Sequence, residues 1–226
     1  MLAGASLFAF ASPATAAVIV GGTSYDAGQS FTIYYDGFGG ASPAVIAGLT
    51  SNIKFTVDSI SGNSYTLSYL IDNTSSSPIT GSRVSTMGFN VDPNFQTASI
   101  NGVFGSVDSG QVPNFGKVEF CGTDGGSCAG GGSGGVAIND IYDMAHSGGH
   151  FTLNFSAPGD ITLSDFVVRY QSITGAGATQ SAIGRQMDPP PAVPEPATWA
   201  MMLFGFGATG MALRRSRKAR PMAQIA

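Results

Sequence analysis

Apolar and polar residues alternate through most of the stretch 30–173, and no segment before residue 197 carries a capped repeat of 3.6 residues. Side chains on a strand point to opposite faces in turn, so a period of two marks a half-buried strand rather than an amphipathic helix. Ile53, Phe55 and Val57 alternate with Lys54, Thr56 and Asp58, and Phe151, Leu153 and Phe155 alternate with Thr152 and Asn154. Segments 30–35, 65–71, 84–91, 97–104, 117–120 and 161–173 are further strand candidates, rich in Thr, Val, Ile, Phe and Tyr. Between them lie turn-forming clusters such as Ser61-Gly62-Asn63, residues 72–77 and Asp92-Pro93-Asn94. Many short strands joined by polar turns predict an all-β fold, an antiparallel β-sandwich over residues 18–173. That length suits one domain with a full core.

The stretch after residue 173 changes character. Residues 174–192 hold Gly175-Ala176-Gly177 and Asp188-Pro189-Pro190-Pro191 and are expected to be a linker, flexible and then semi-rigid. From 197 to 213 the chain carries no charge, and Arg214, Arg215, Arg217, Lys218 and Arg220 follow at once. As a helix those 17 residues span about 26 Å, at the short edge of a hydrocarbon core of about 30 Å. The arginines can snorkel to the interface, and Trp199 suits the headgroup region at the other end. Residues 197–213 are therefore expected to form a single transmembrane helix. The basic cluster keeps the tail cytoplasmic and sends everything before it outward.

Pro194-Glu195-Pro196, two further residues, then Trp199-Ala200, a Gly-Phe-Gly stretch and an Arg-rich end resemble a PEP-CTERM sorting domain in its PEPxxWA form, over about residues 193–220. The resemblance implies export, temporary anchoring in the inner membrane and processing near Pro-Glu-Pro by an exosortase. It also implies a bacterium that makes exopolysaccharide, and a surface or extracellular-matrix destination. Two prolines hold the motif extended, the form in which a protease at the membrane face binds a strand.

Residues 1–17 read as the apolar core and cleavage region of a signal peptide, with Ala14-Thr15-Ala16 as the A-x-A box and cleavage after Ala16 or Ala17. The segment lacks a basic start, so the true start codon is expected upstream. An exported chain meets an oxidising compartment. Cys121 and Cys128, its only cysteines, are expected to pair as a disulfide across a glycine-rich loop. The Cys-x6-Cys segment, the following Gly run and Arg169-Tyr170-Gln171-Ser172 resemble a subgroup of the same family called cistern, which implies no activity.

Of ten Lys and Arg, five follow residue 213, which leaves five against 14 Asp and Glu, a balance of −9. Such acidity argues against nucleic acid and anionic lipid as partners of the exported part. No metal or cofactor signature is complete. His146 and His150 are separated by Gly148-Gly149, and Asn139, Asp140 and Asp143 do not make a calcium loop and read equally as turn residues. The run Gly130-Gly131-Gly132-Ser133-Gly134-Gly135 has no Lys-Ser/Thr and no helix after it. No nucleophile elbow is present. Tyr25, Tyr34, Tyr35 and Phe38 are candidates to stack on sugar rings or to fill the core. The expectation is a non-enzymatic envelope or matrix protein without cofactor, whose partners are the exosortase, the inner membrane and exopolysaccharide. The alternatives are a carbohydrate- or calcium-binding adhesin and, after it, a secreted hydrolase.

Overall fold

A computed structural model describes residues 16–39, 44–130, 132–175, 177, 180–188 and 206. The chain separates into two units, residues 1–188 and 189–226. The first holds thirteen strands among the described residues: β1 Val18–Val20, β2 Thr23–Tyr25, β3 Ser30–Phe38, β4 Val45–Ser61, β5 Ser64–Asp72, β6 Gly81–Asp92, β7 Thr97–Gly102, β8 Ser106–Val112, β9 Gly116–Thr123, β10 Val136–Ala137, β11 Gly148–Asn154, β12 Ile161–Thr174 and β13 Ser181–Met187. The expected all-β class holds.

The arrangement differs from two stacked sheets. One continuous sheet runs in the order β7-β11-β5-β4-β3-β13-β12-β6-β9-β8. Its end strands, β7 and β8, are consecutive in the chain, joined by residues 103–105, and approach each other without pairing as neighbours in the sheet. The sheet therefore curls until it nearly closes, and both of its faces belong to one barrel-like wall. Neighbours along this path are antiparallel. β1 alone runs parallel, to the first residues of β12. Register shifts in β12 mark where the wall bends, between Ser164 and Val167 and between Gln171 and Thr174. Asp165 and Ser172 sit there in the left-handed backbone region, φ 52° and 55°. A bulge adds a residue to one strand and increases local twist, which is what coiling a long sheet requires.

The alternation read from sequence becomes the lining of this barrel. Ile33 and Tyr35 on β3, Ile53, Phe55 and Val57 on β4, and Leu67, Tyr69 and Ile71 on β5 are buried, while their neighbours face out. Phe89, Phe120, Phe151, Phe166 and Phe55 form a continuous ring-to-ring contact, with centroids 4.6 to 6.4 Å apart. Each such pair contributes about 0.5–1.5 kcal/mol beyond the area it buries. The buried tyrosine hydroxyls Tyr170 and Tyr69 are paired: Ser51 Oγ and the Tyr170 hydroxyl lie 2.7 Å apart, and Tyr69 donates to the Asn101 carbonyl at 2.9 Å and accepts from the Phe104 amide at 3.2 Å. The buried Thr86 and Thr123 hydroxyls, by contrast, have no partner.

One boundary expected from sequence is corrected. Residues 181–187, assigned to the linker, form β13, which sits inside the sheet between β12 and β3. Arg185, Gly184 and Ile183 pair with Val167, Val168 and Arg169 on one side, and with Asp36, Gly37 and Phe38 on the other. The strand is short, and its apolar residues, Ala182 and Ile183, are adjacent rather than alternating. They bury on opposite sides of the wall, Ala182 with the main core and Ile183 in a second cluster outside it. The expected transmembrane helix at 197–213 lies outside the described residues except for Phe206, and so do most of the signal peptide and the motif at 193–196. Among the described residues no helix is long and apolar enough to cross a membrane.

Candidate functional site

On the part of the wall formed by β6, β9, β12 and β13, strand residues are buried on both sides. Ser85, Thr86, Met87, Gly88 and Phe89 are consecutive and all buried. A small second core explains this: Val112, Val118, Cys121, Cys128, Val167 and Ile183, with Phe38 and Phe115 at its edge. It is capped by the loop after β9, the glycine-rich segment that carries Cys128.

That loop is held down by named polar contacts. Arg83 on β6 donates through Nη1 to the Gly134 carbonyl and through Nη2 to the Gly132 carbonyl at 2.6 Å and to Gln171 Oε1 at 3.0 Å. Asp124 accepts from the Gly134 amide at 2.8 Å, and Asp108 accepts from the Cys128 amide at 3.3 Å. Glycine is needed for closeness: a side chain at Gly132 would run into the Asp124 backbone, and one at Gly135 into the Val84 carbonyl. The Gly run is thus a packed strap rather than a phosphate loop.

Cys121 and Cys128 are both buried under this strap, and both are free thiols. They are neighbours: the hydrogen bond with Cys128, followed by burial and by the nearby Cys128 and Asp108 charges, pushes the Cys121 thiol far above its ordinary value. The expected disulfide is therefore not formed in this structure, although its two partners are brought together.

The histidines are not brought together. His146 Nδ1 lies 2.8 Å from Asp143 Oδ1, and His150 Nδ1 lies 3.0 Å from Asp58 Oδ2 on the outer face of β4. Asp143 accepts from the Ala145 and His146 amides at 2.9 Å each, and the His146 ring contact, first, holds its carboxyl below the usual range. Asp140 accepts from the Ala137 amide at 2.6 Å. Both aspartates act as turn residues, and no group of three or more metal-ligating side chains occurs among the described residues. Tyr35 is core; Tyr25 packs on Phe31 at 4.9 Å. Phe38 carries the Arg185 guanidinium 5.4 Å over its ring.

The outer face of β7, β11, β5, β4 and β3 is hydroxyl-rich. Thr66 and Thr152 touch at 3.1 Å and Ser30 and Thr56 at 2.8 Å across strand pairs, and Ser68 donates to Asp58 at 2.9 Å. Sequence alternation marked these positions as outward but not as one surface. Residues that sequence reasoning missed are Arg83, Asp108 and Asp124, which organise the strap, and Asp160, which accepts from the Ala17 amide at 2.9 Å. The signal available was weak: Arg83 is one of few cations in an acidic stretch.

At the front end, Ala17 is buried, its carbonyl accepts from the Ile161 amide at 3.0 Å, and Val18 is fully buried as the first residue of β1. Of the two expected cleavage points, only the one after Ala16 preserves these contacts.

Residues 192–218 match the family model of the PEP-CTERM protein-sorting motif. No curated protein and no solved structure matches the chain. The chain thus carries a PEP-CTERM protein-sorting motif that includes Pro194, Glu195, Pro196, Trp199 and the basic residues Arg214, Arg215, Arg217 and Lys218. That motif implies an exported protein with a membrane-anchored precursor, processed by an exosortase. The match does not reach the Cys121–Cys128 segment on which the subgroup resemblance rests.

Proposed function

We propose that this is a non-enzymatic protein of the cell envelope or extracellular matrix. It is exported behind a signal peptide cut after Ala16, and held in the inner membrane by residues 197–213. An exosortase then passes it on to the surface, where it associates with exopolysaccharide. The observation that carries this reading is the sorting motif at 192–218. The structure supports it indirectly. The exported unit is a small barrel with a filled core, and its broad outer face offers hydroxyls and amides rather than a deep cavity. In the oxidising compartment Cys121 and Cys128, already adjacent, close to a disulfide that locks the strap.

The experiment is fractionation of cells with and without the exosortase. Replacing Pro194, Glu195 and Pro196 with Ala is expected to leave the uncut precursor in the inner membrane. Maturation of this variant to the normal mass and location refutes the sorting assignment.

A carbohydrate-binding adhesin is the second reading. It is favoured by the hydroxyl rows Ser30, Thr56, Thr66 and Thr152, which suit hydrogen bonding to a sugar chain. No contact favours its calcium form, since Asp140 and Asp143 are engaged by backbone amides. Turnover of polysaccharide by purified protein would replace both readings with the hydrolase.

A further inference from the structure

An acidic domain has carboxylates to place beside each of its few cations, and opposite charges within a few ångströms stabilise each other. None of Lys54, Arg83, Lys117, Arg169 and Arg185 has a carboxylate within 4 Å among the described residues, and Arg83 and Arg169 share a cleft whose lining holds no carboxylate. They line one open cleft of about 490 Å³ on the outer wall, together with Gln171, Ser172 and Ser181. Among the described residues the ion pairs are His146–Asp143 and His150–Asp58, so neither guanidinium has a carboxylate within 4 Å. Asp124, on the strap beside them, directs its carboxylate to the Gly134 amide instead.

The cleft lining holds two guanidiniums, hydroxyls and amides, and no carboxylate. Arg83 is held by Gly132, Gly134, Gln171 and Ser172 through four of its N–H groups. Arg169 is not so held. A guanidinium has five N–H donors, and Arg169 makes a single contact, Nη2 to Ser181 Oγ at 3.5 Å. Its Nε is buried without an acceptor. Gln171 gives Oε1 to Arg83, which leaves its amide NH2 free to donate. Burial also lowers the Arg169 pKa from its ordinary value, as expected for a cation that has lost water and gained no counter-charge. Such a charge is unfavourable until an anion meets it, and a guanidinium fork fits the paired oxygens of a carboxylate or sulfate.

We propose that this cleft binds the oxyanion groups, carboxylate or sulfate, of an acidic polysaccharide, a contact confined to this pair of guanidiniums because the domain's net negative charge repels a polyanion elsewhere. Arg169 is the fork, the Gln171 amide and Ser181 hydroxyl are flanking donors, and Arg83 adds a second positive charge while pinning the strap. The inference rests on the matrix reading above and narrows its polysaccharide to an anionic one.

The test uses the full-length protein in mild detergent, titrated calorimetrically with an oligogalacturonate, a sulfated oligosaccharide, a neutral oligoglucan and inorganic sulfate. One or both acidic oligosaccharides are expected to bind and the neutral one is not, with the preferred acid identifying the group. Arg169→Gln should weaken binding at least tenfold, and Lys54→Gln on β4 should leave it unchanged. Gln171→Glu guards against a folding artefact. It keeps the oxygen that Arg83 needs, so the melting temperature should hold, but it fills the cleft with its own carboxylate and should also weaken binding at least tenfold. Wild-type affinity in Gln171→Glu, equal binding of neutral and acidic chains, or binding of inorganic sulfate alone overturns the proposal. If acidic oligosaccharides bind through Arg169 but the protein is not retained by the producing cell's own polysaccharide, the matrix reading falls and the cleft stands.

Discussion

At the scale of single residues, the cysteine pair shows how burial sets chemistry. A disulfide forms by attack of a thiolate, and burial beside a second thiol keeps Cys121 protonated. Oxidation is therefore expected to be fast while the chain is unfolded during export and slow once the strap has closed over it. Intact-mass analysis of protein recovered from the periplasm should show two alkylatable thiols only after reduction, and two free thiols in the native material would rule out the pairing. Cytoplasmically expressed, reduced protein should oxidise far more slowly when folded than in denaturant. Closing so short a ring adds about 2–3 kcal/mol by the chain-entropy estimate, so Cys121→Ser should lower the melting temperature without changing the fold.

Tyrosines make a second residue-level prediction. Burial, first, raises Tyr69 to about 12 from 10.0, and it raises Tyr35 and Tyr170 as well. In the unfolded chain these groups lose their protons near pH 10, while in the fold they keep them. The folded state then binds more protons than the unfolded state, so stability falls as pH rises. The Tyr69 contribution should be whole below pH 10 and lost between pH 10 and 12, by about 1.4 kcal/mol per pH unit, with Tyr35 and Tyr170 steepening the fall above pH 10. Melting curves from pH 8 to 12 test this, and a flat melting temperature across that range would count against the buried hydroxyls. Tyr69→Phe should remove part of the slope and also cost about 1–3 kcal/mol at neutral pH, because the Asn101 carbonyl and Phe104 amide lose their partner.

At the scale of elements, β13 decides where the domain ends. It fills a position between β12 and β3 that no other strand can take. A chain ending at residue 173 should fail to fold, and one ending at residue 188 should melt cooperatively; circular dichroism and a thermal scan on the two distinguish them. Equal stability would show β13 to be dispensable. Gly184 gives a point test. A side chain there meets Val168, and Tyr170 at 2.8 Å and Tyr35 at 3.2 Å, so Gly184→Val should destabilise by about 1–3 kcal/mol or more through overpacking. Between the end of β13 and Pro194 only residues 188–193 remain, much less tether than the sequence alone suggested.

The same scale shows what was legible. β3, the core of β4, β5, β6, β11 and β12 stood out because one face is buried and the other wet, which writes a period of two into the chain. β13 did not, because its residues bury into two different cores and its Gly and Ser resemble a linker. β8 was missed since Ser106, Asp108 and Gly110 line an edge with little apolar patterning. The single wall was hidden as well. Alternation reports which residues point inward but not the strand order, and the left-handed positions in β12, Asp165 and Ser172, are not glycines that would announce a bend. The sorting motif was fully legible, because its Pro-Glu-Pro, span and basic end are a linear pattern. The strap was only half legible: its cysteines were plain, while Arg83 and Asp124 reach it from positions fixed by the fold.

At the scale of the molecule, the exported unit is compact and acidic, and its tail carries half of the basic residues. A reporter fused after Ala226 should be cytoplasmic in the uncut precursor, as the basic cluster requires. Alkaline phosphatase activity at that position would reverse the topology.

The approach of β7 to β8 has a consequence for how the protein associates with copies of itself. An open sheet ends in rows of unpaired N–H and C=O groups that recruit another chain, and this is how strand-built fibres grow. Here the outer edges of β7 and β8, six and seven residues long, have no hydrogen-bonded partner strand among the described residues but are turned toward each other by the curl of the sheet, and the edges left on β2 and β10 are three and two residues long. Each molecule should therefore enter its surroundings as a separate bead. Any gel containing it would be soft and gain its strength from the strands of polymer between beads. Concentrated protein should sediment as one small species and leave thioflavin fluorescence unchanged over days of incubation; growing filaments would mean that the wall opens.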